Sequence, residues 1–264
     1  MLEEHPDLSG ISSFDPQESG KWTGILRTAL RLRRERWDAI LVMNPTKLFH
    51  VASFLAGIPV RIGYRRKLGF LLTRALPDTK ASRNLHESEY NLELARLLGI
   101  SATNEPLKLP ARPEMERRAR KLLEERGIPP DARPVALHPW TSNPDKNWPL
   151  ERFRETARRL LEAGLPIVII GGSSSDGADS FPPAAVNLAG QTPLGILPSV
   201  LRRCSVLISN DSGPVHVAAA VGTPTVVVAP ESHAQQLQRW SPMGTGHRIL
   251  IDPTVEEVVR CCAS

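Results

Sequence analysis

Residues 205–229, SVLISNDSGPVHVAAAVGTPTVVVA, read as a strand, a tight polar turn, a short helix and a second strand. Val206, Leu207 and Ile208 make an apolar run of strand length, and Ser209-Asn210-Asp211-Ser212-Gly213 interrupts it. Pro214 suits the first turn of a helix, where the N–H it lacks would have no intrahelical partner. Gly222 ends that helix with a residue that tolerates left-handed geometry, Pro224 prevents a restart, and the β-branched run 225–228 is typical of a buried parallel strand. The unit is therefore βαβ, and its turn falls at the carboxyl end of a strand. Ligands of open parallel sheets bind there, facing a helix N-terminus with unpaired N–H groups.

Within that turn Asp211 supplies a carboxylate, Ser212 a hydroxyl, and Gly213 a place where a ligand can approach the backbone. His216 follows on the first helical turn, facing the same opening. An anion fits such a place. An ordinary helix cap by Ser212 or Asp211, with His216 on the surface, fits the same residues.

Outward from this unit the chain keeps alternating. Residues 135–138 form a strand, 139–147 a loop in which Lys146 is suited to a point-charge contact with phosphate, and a helix opens at Pro149 with Leu150, Phe153, Ala157, Leu160 and Leu161 at helical spacing. Strands at 167–170 and 186–188 and a helix over 194–203 complete the approach to residue 205. Upstream, helices are expected over 24–36, 47–56 and 87–98, and strands over 37–42 and 60–63; residues 1–21 carry only weak structural signals. A composition shift over residues 101–112, with Pro106, Pro110 and Pro113 in or beside it, marks a linker, and a helix is expected over 113–126. Two domains follow, 1–112 with the linker and 113–264, both of alternating α/β type.

Composition narrows the partners. The 264 residues are 41% hydrophobic and 23% charged, as in a soluble globular chain. No run approaches the ~18 apolar residues of a membrane span, and the first residues lack the basic and apolar regions of a signal peptide. A cytoplasmic location is expected. Cys204, Cys261 and Cys262 have neither metal-site nor disulfide spacing and read as reduced thiols. The net charge of +5 is spread over helix faces and aromatics are only 5%, which argues against a platform for nucleic acid. Arg27, Arg31, Arg33, Arg34 and Arg36 are either a solvated helix face or a peripheral contact with anionic lipid or lipid-linked phosphate. A dinucleotide oxidoreductase is disfavoured, because no G-x-G-x-x-G follows any expected strand.

Residues 210–228, N-D-S-G-P-V-H-V-A-A-A-V-G-T-P-T-V-V-V, resemble the D-[ST]-G-x-x-H-x-A-A-x-x-G-T-P signature of the family 9 glycosyltransferases, the heptosyltransferases of lipopolysaccharide core synthesis. A second block, Leu137-His138-Pro139-Trp140-Thr141-Ser142 followed by Lys146-Asn147-Trp148-Pro149, resembles the family's H-P-G-[AT]-S…K-x-W-P segment. The resemblance runs from about Trp37 to the end of the chain. It implies two Rossmann-like domains of glycosyltransferase B type, the N-terminal one incomplete. The implied reaction moves a sugar, heptose, from a nucleotide diphosphate donor, ADP-heptose, to a lipopolysaccharide core or lipid-linked acceptor, with inversion.

The resemblance also implies roles. Lys146, Thr141 and Ser142 would meet one side of the donor pyrophosphate, and Ser212, Gly213 and the following helix the other. Asp211 would bind sugar hydroxyls, and His216 would support the phosphate site. Trp148 reads as a packing residue. The family's ribose-binding acid has no direct counterpart in Ser173-Ser174-Ser175, and Asp176 would serve from a shifted position. With no D-x-D and no cysteine–histidine cluster, neither a metal nor another cofactor is expected. Arg61, Tyr64, Arg65, Arg66 and Lys67 lie in the acceptor-side region, where they would meet acceptor phosphates or simply aid solubility; a peripheral inner-membrane location accords with the former. The family's opening strand and G-D-x-[LV] loop, source of its proposed catalytic base, have no counterpart. Asp7 and Asp15 sit in poor context for that role, leaving Asp211 and His216 as weak candidates. The expectation is a truncated enzyme or a catalytically impaired nucleotide-binding remnant, with an exposed sheet edge in the N-terminal domain.

Overall fold

The computed structural model describes residues 2, 5–14, 21–80, 82–172 and 177–262. The chain divides into two compact units, Gly10–Asn104 and Glu105–Ser264, the second joined by Met1–Ser9.

In the first unit the order is α1 (Trp22–Glu35), β1 (Ala39–Val42), α2 (Lys47–Leu55), β2 (Val60–Arg65), β3 (Arg74–Pro77) and α3 (Glu87–Arg96). The strands form a parallel sheet in the order β1-β2-β3, with Ala39 opposite Val60 and Ile62 opposite Arg74. Ile25, Leu48 and Ala52 join α1 to α2, while Ile62, Tyr64, Tyr90 and Leu94 join β2 to α3. β2 continues two residues beyond its expected end at Gly63, because Tyr64 is buried and its hydroxyl donates to the Tyr90 carbonyl at 2.6 Å. Arg61 likewise turns to its own unit, donating to the carbonyls of Leu71 at 2.8 Å and of Ile58. Of the basic cluster at 61–67, only Arg65, Arg66 and Lys67 are exposed.

The second unit contains α4 (Pro113–Glu125), β4 (Val135–His138), α5 (Leu150–Glu162), β5 (Ile167–Ile169), β6 (Val186–Asn187), α6 (Leu197–Arg202), β7 (Val206–Asn210), α7 (Gly213–Val221), β8 (Thr225–Ala229), α8 (Ala234–Arg239), β9 (His247–Ile251) and α9 (Val255–Arg260). Its parallel sheet has the order β6-β5-β4-β7-β8-β9. Apolar clusters cover both faces. Ala119, Leu123, Val200, Leu201, Leu207 and Ala218 fill one; Trp148, Phe153, Leu160, Ile208, Val226 and Val258 fill the other. A doubly wound sheet of this kind buries its strands on both sides, and β7 and β8 are buried at every residue. The Pro-rich stretch before α4 is fastened to it, since Leu109 N–H donates to Ala220 O at 2.8 Å and Arg202 donates to Leu109 O at 2.6 Å.

From β4 the chain steps outward through β5 and β6, then returns to β4's other side as β7. The carboxyl ends of β4 and β7 therefore flank the point where the winding reverses, the crevice in which open α/β sheets hold ligands.

Candidate functional site

β7 runs through Ser209 and Asn210, residues whose polarity suggests a turn. They stay in the strand because each buried side chain is satisfied. Ser209 lies opposite His138 in register, and its hydroxyl donates to Asn210 O at 2.7 Å. Asn210 Oδ1 accepts from Trp148 N–H at 2.8 Å, while its amide donates to Pro139 O. One fully buried amide thus staples the loop after β4 to the end of β7. Trp148 is buried as well, with Nε1 donating to Pro253 O at 3.1 Å, so it packs, as its sequence context suggests.

An open cleft of about 510 Å³ lies at these strand ends, lined by His138, Trp140, Thr141, Ser142, Lys146, Gly172, Asp211, Ser212, Gly213 and Pro214. Asp211 is buried at its base. Its Oδ2 accepts from Lys146 Nζ at 3.2 Å, although the two residues are 65 positions apart. The same oxygen accepts from His233 Nε2 at 2.7 Å, leaving Oδ1 without a protein partner among the described residues.

Ser212 occupies the position before α7 but makes no side-chain cap. Its hydroxyl instead meets Ser209 Oγ at 3.0 Å and His138 Nδ1 at 3.1 Å. The Ser212 form of the ordinary-cap alternative therefore fails. Burial holds the His138 imidazole down to about 4, so it is neutral at physiological pH and acts as a hydrogen-bonding partner for the two serines. Thr141 organises its own loop: Oγ1 lies 2.5 Å from Asn143 O and 2.9 Å from Asn147 Oδ1. Ser142 is exposed on the lining. His216 is half-buried on the first turn of α7 and is not among the lining residues. Asp176, like Asp15, lies outside the described residues.

Sequence reading therefore brought Thr141, Ser142, Lys146, Asp211, Ser212 and Gly213 to one cleft, and missed the two histidines that organise it. His138 was visible inside a motif block but carried no role. His233 follows β8 at a strand's carboxyl end, the one signal that could have selected it; its contact with Asp211 depends on β8 lying beside β7. Among the described residues no three His, Cys, Asp or Glu side chains gather as they would around a metal ion. No helix among them is long and apolar enough to cross a membrane. Cys204 is buried, and desolvation pushes its thiol up to about 12, which suits a packing role.

Two Rossmann-like α/β units, one carrying a polar cleft at its winding reversal, define a protein of glycosyltransferase B architecture. Solved structures share that fold. A family 9 glycosyl transferase from Veillonella parvula superposes with a TM-score of 0.88 at 18% identity, over 99% of this chain and 83% of that one. Escherichia coli ADP-heptose lps heptosyltransferase II superposes with a TM-score of 0.75 at 21% identity, over 92% and 80%. The family described as Glycosyltransferase family 9 (heptosyltransferase) matches residues 25–261, and the chain belongs to it. Among curated relatives, lipopolysaccharide heptosyltransferase 2 of Escherichia coli K12 is 28% identical over 212 residues, 75% of this chain and 61% of that protein's length.

Proposed function

We propose that the chain transfers heptose from ADP-heptose to a lipopolysaccharide core acceptor, with inversion at the anomeric carbon. The observation that carries this is the placement of Lys146 against Asp211, at 3.2 Å, beside the N-terminus of α7 in one cleft. In sugar transfer from a nucleotide diphosphate, negative charge grows on the departing phosphate. A helix N-terminus fixed beside that charge, and a lysine within reach of it, stabilise the departing phosphate and lower the barrier. Ser142, Ser212 and Gly213 line the same cleft, and Asp211 Oδ1 is the acceptor available to a donor hydroxyl. Thr141 shapes the loop that presents Lys146, and His216 supports the α7 end from its first turn. Asp176 is the candidate for the ribose. The base that takes the acceptor's proton is Asp211 or His216 if it lies in this unit. The family and the curated relative's name support heptose and the lipopolysaccharide core; the solved Escherichia coli neighbour's name supports ADP-heptose. The acceptor supports work at the cytoplasmic side of the inner membrane by peripheral contact.

The test uses the whole 264-residue chain. Calorimetry should detect ADP, and incubation with ADP-heptose and a heptose-deficient lipopolysaccharide should yield the extended core with release of ADP. Absence of both ADP binding at millimolar concentration and product would overturn the proposal; binding without product would remove the transfer half and leave a nucleotide-binding protein.

A further inference from the structure

We propose that His233 is a positioning residue of this cleft: it keeps the buried Asp211 carboxylate paired while Lys146 leaves that carboxylate for a donor phosphate. The inference rests on the donor-site reading above. Lys146 Nζ and His233 Nε2 reach the same oxygen, Oδ2 of Asp211, at 3.2 and 2.7 Å. The three residues come from the loop after β4, the end of β7 and the turn after β8, so no local turn pattern accounts for their meeting. Their exposures differ in a telling way. The Asp211 and His233 side chains are 7% and 6% exposed, whereas Lys146 is 25% exposed at the mouth. A carboxylate oxygen only accepts, so Nε2 is the ring nitrogen that carries the proton.

A diphosphate entering the cleft competes with Asp211 for Lys146. If Lys146 were the carboxylate's sole donor, each step toward the phosphate would leave a buried acceptor unpaired, a loss larger than the worth of an ordinary hydrogen bond. With His233 in place the oxygen keeps one bond throughout, and Lys146 can change partners. The same bond fixes the carboxylate plane, so that Oδ1 stays available to a donor hydroxyl. The turn that carries His233 is itself held. His233 N–H donates to Pro230 O at 2.9 Å, Glu231 N–H to Asp252 Oδ2 at 3.0 Å, and Asp252 N–H to Ala229 O at 2.8 Å.

The experiment measures ADP affinity by calorimetry on the full chain for wild type, His233→Ala, His233→Gln, His233→Asn, Lys146→Ala and the His233→Ala/Lys146→Ala double variant, with circular dichroism melts to verify folding. His233→Ala should weaken ADP binding about tenfold. Gln, whose amide N–H reaches as far as Nε2, should restore it to within about threefold, and the shorter Asn should not. Once Lys146 is gone there is no partner to release, so the double variant should bind within about twofold of Lys146→Ala. A buried histidine that merely packs would give the reverse: Gln and Asn alike, and the two losses additive. If the alanine variant does not fold, Gln against Asn decides alone. ADP affinity unchanged by His233→Ala, or no difference between Gln and Asn, overturns the inference while leaving the donor site standing; no ADP binding by wild type overturns both.

Discussion

The two units use the same βα alphabet to different ends. In the second, apolar clusters close over both faces of the sheet, β4, β7 and β8 are buried at every residue, and the polar side chains within those three strands, His138, Ser209, Asn210 and Thr225, stand at the strand ends, each with a hydrogen-bond partner. In the first, three short strands carry mixed burial, and Trp22, Leu26 and Leu30, at 61%, 51% and 58% exposure, leave one stripe of α1 open to solvent. The lesson is that a preorganised polar cleft needs a sheet sealed around it, since a low-dielectric surround strengthens its hydrogen bonds and makes unpaired groups costly. In the second unit the cleft sits over a sealed sheet, with the buried Asp211 among its lining residues; the first unit's cavity of about 480 Å³, lined by Leu76, Pro77, Thr79, Arg83, Glu93 and Arg96, lies beside the partly exposed strand β3.

The sharpest way to break this contrast is Trp148→Ala. The side chain is buried and its indole donates to Pro253, so its loss should cost about 3–5 kcal/mol and release the loop that carries Lys146. Urea unfolding followed separately for the two transitions should show the loss in the Glu105–Ser264 unit alone. A loss shared by both units would mean that they do not unfold independently.

A pH series tests the next largest effect. His138 takes up its proton near 4 when folded and near 6.5 when unfolded, so between those values the unfolded chain binds more protons. Stability of this unit should be full above about pH 6.5 and fall by about 3 kcal/mol as pH drops toward 4. His138→Gln should flatten that slope; an unchanged slope would place its origin elsewhere.

Lys146→Ala should weaken ADP binding by about 1.5–3 kcal/mol, the range for a hydrogen bond to a charged group. Calorimetry on the full chain measures it, and an unchanged affinity would make the lysine a structural partner of Asp211 only. The smallest effect belongs to the other unit. Tyr64→Phe removes one buried hydroxyl that donates to Tyr90 O, costing about 1 kcal/mol, without altering ADP affinity.

Local patterns made most of this readable in advance. The boundaries of β4 coincide with the residues expected, and Gly222, at φ 81°, ends α7 as its left-handed tolerance suggests. β3 and β9 carried no comparable signal. Arg74–Pro77 is a four-residue strand that ends in proline, and His247–Ile251 has no fully buried residue, so neither alternates strongly enough to stand out.

The sequence by itself determined the βαβ units, a polar turn at Asp211-Ser212 though not the strand character of Ser209 and Asn210, the lysine loop and the family to which they belong, because each rests on short blocks of local spacing. Only the tertiary structure decided which of those polar groups meet. Asp211 gains Lys146 from 65 residues upstream and His233 from the neighbouring strand's end, and Ser212 turns from capping its helix to His138 across the sheet. Those partners are set by the order β4-β7-β8, and strand order is a property of how the whole sheet buries its two faces, which no local stretch records.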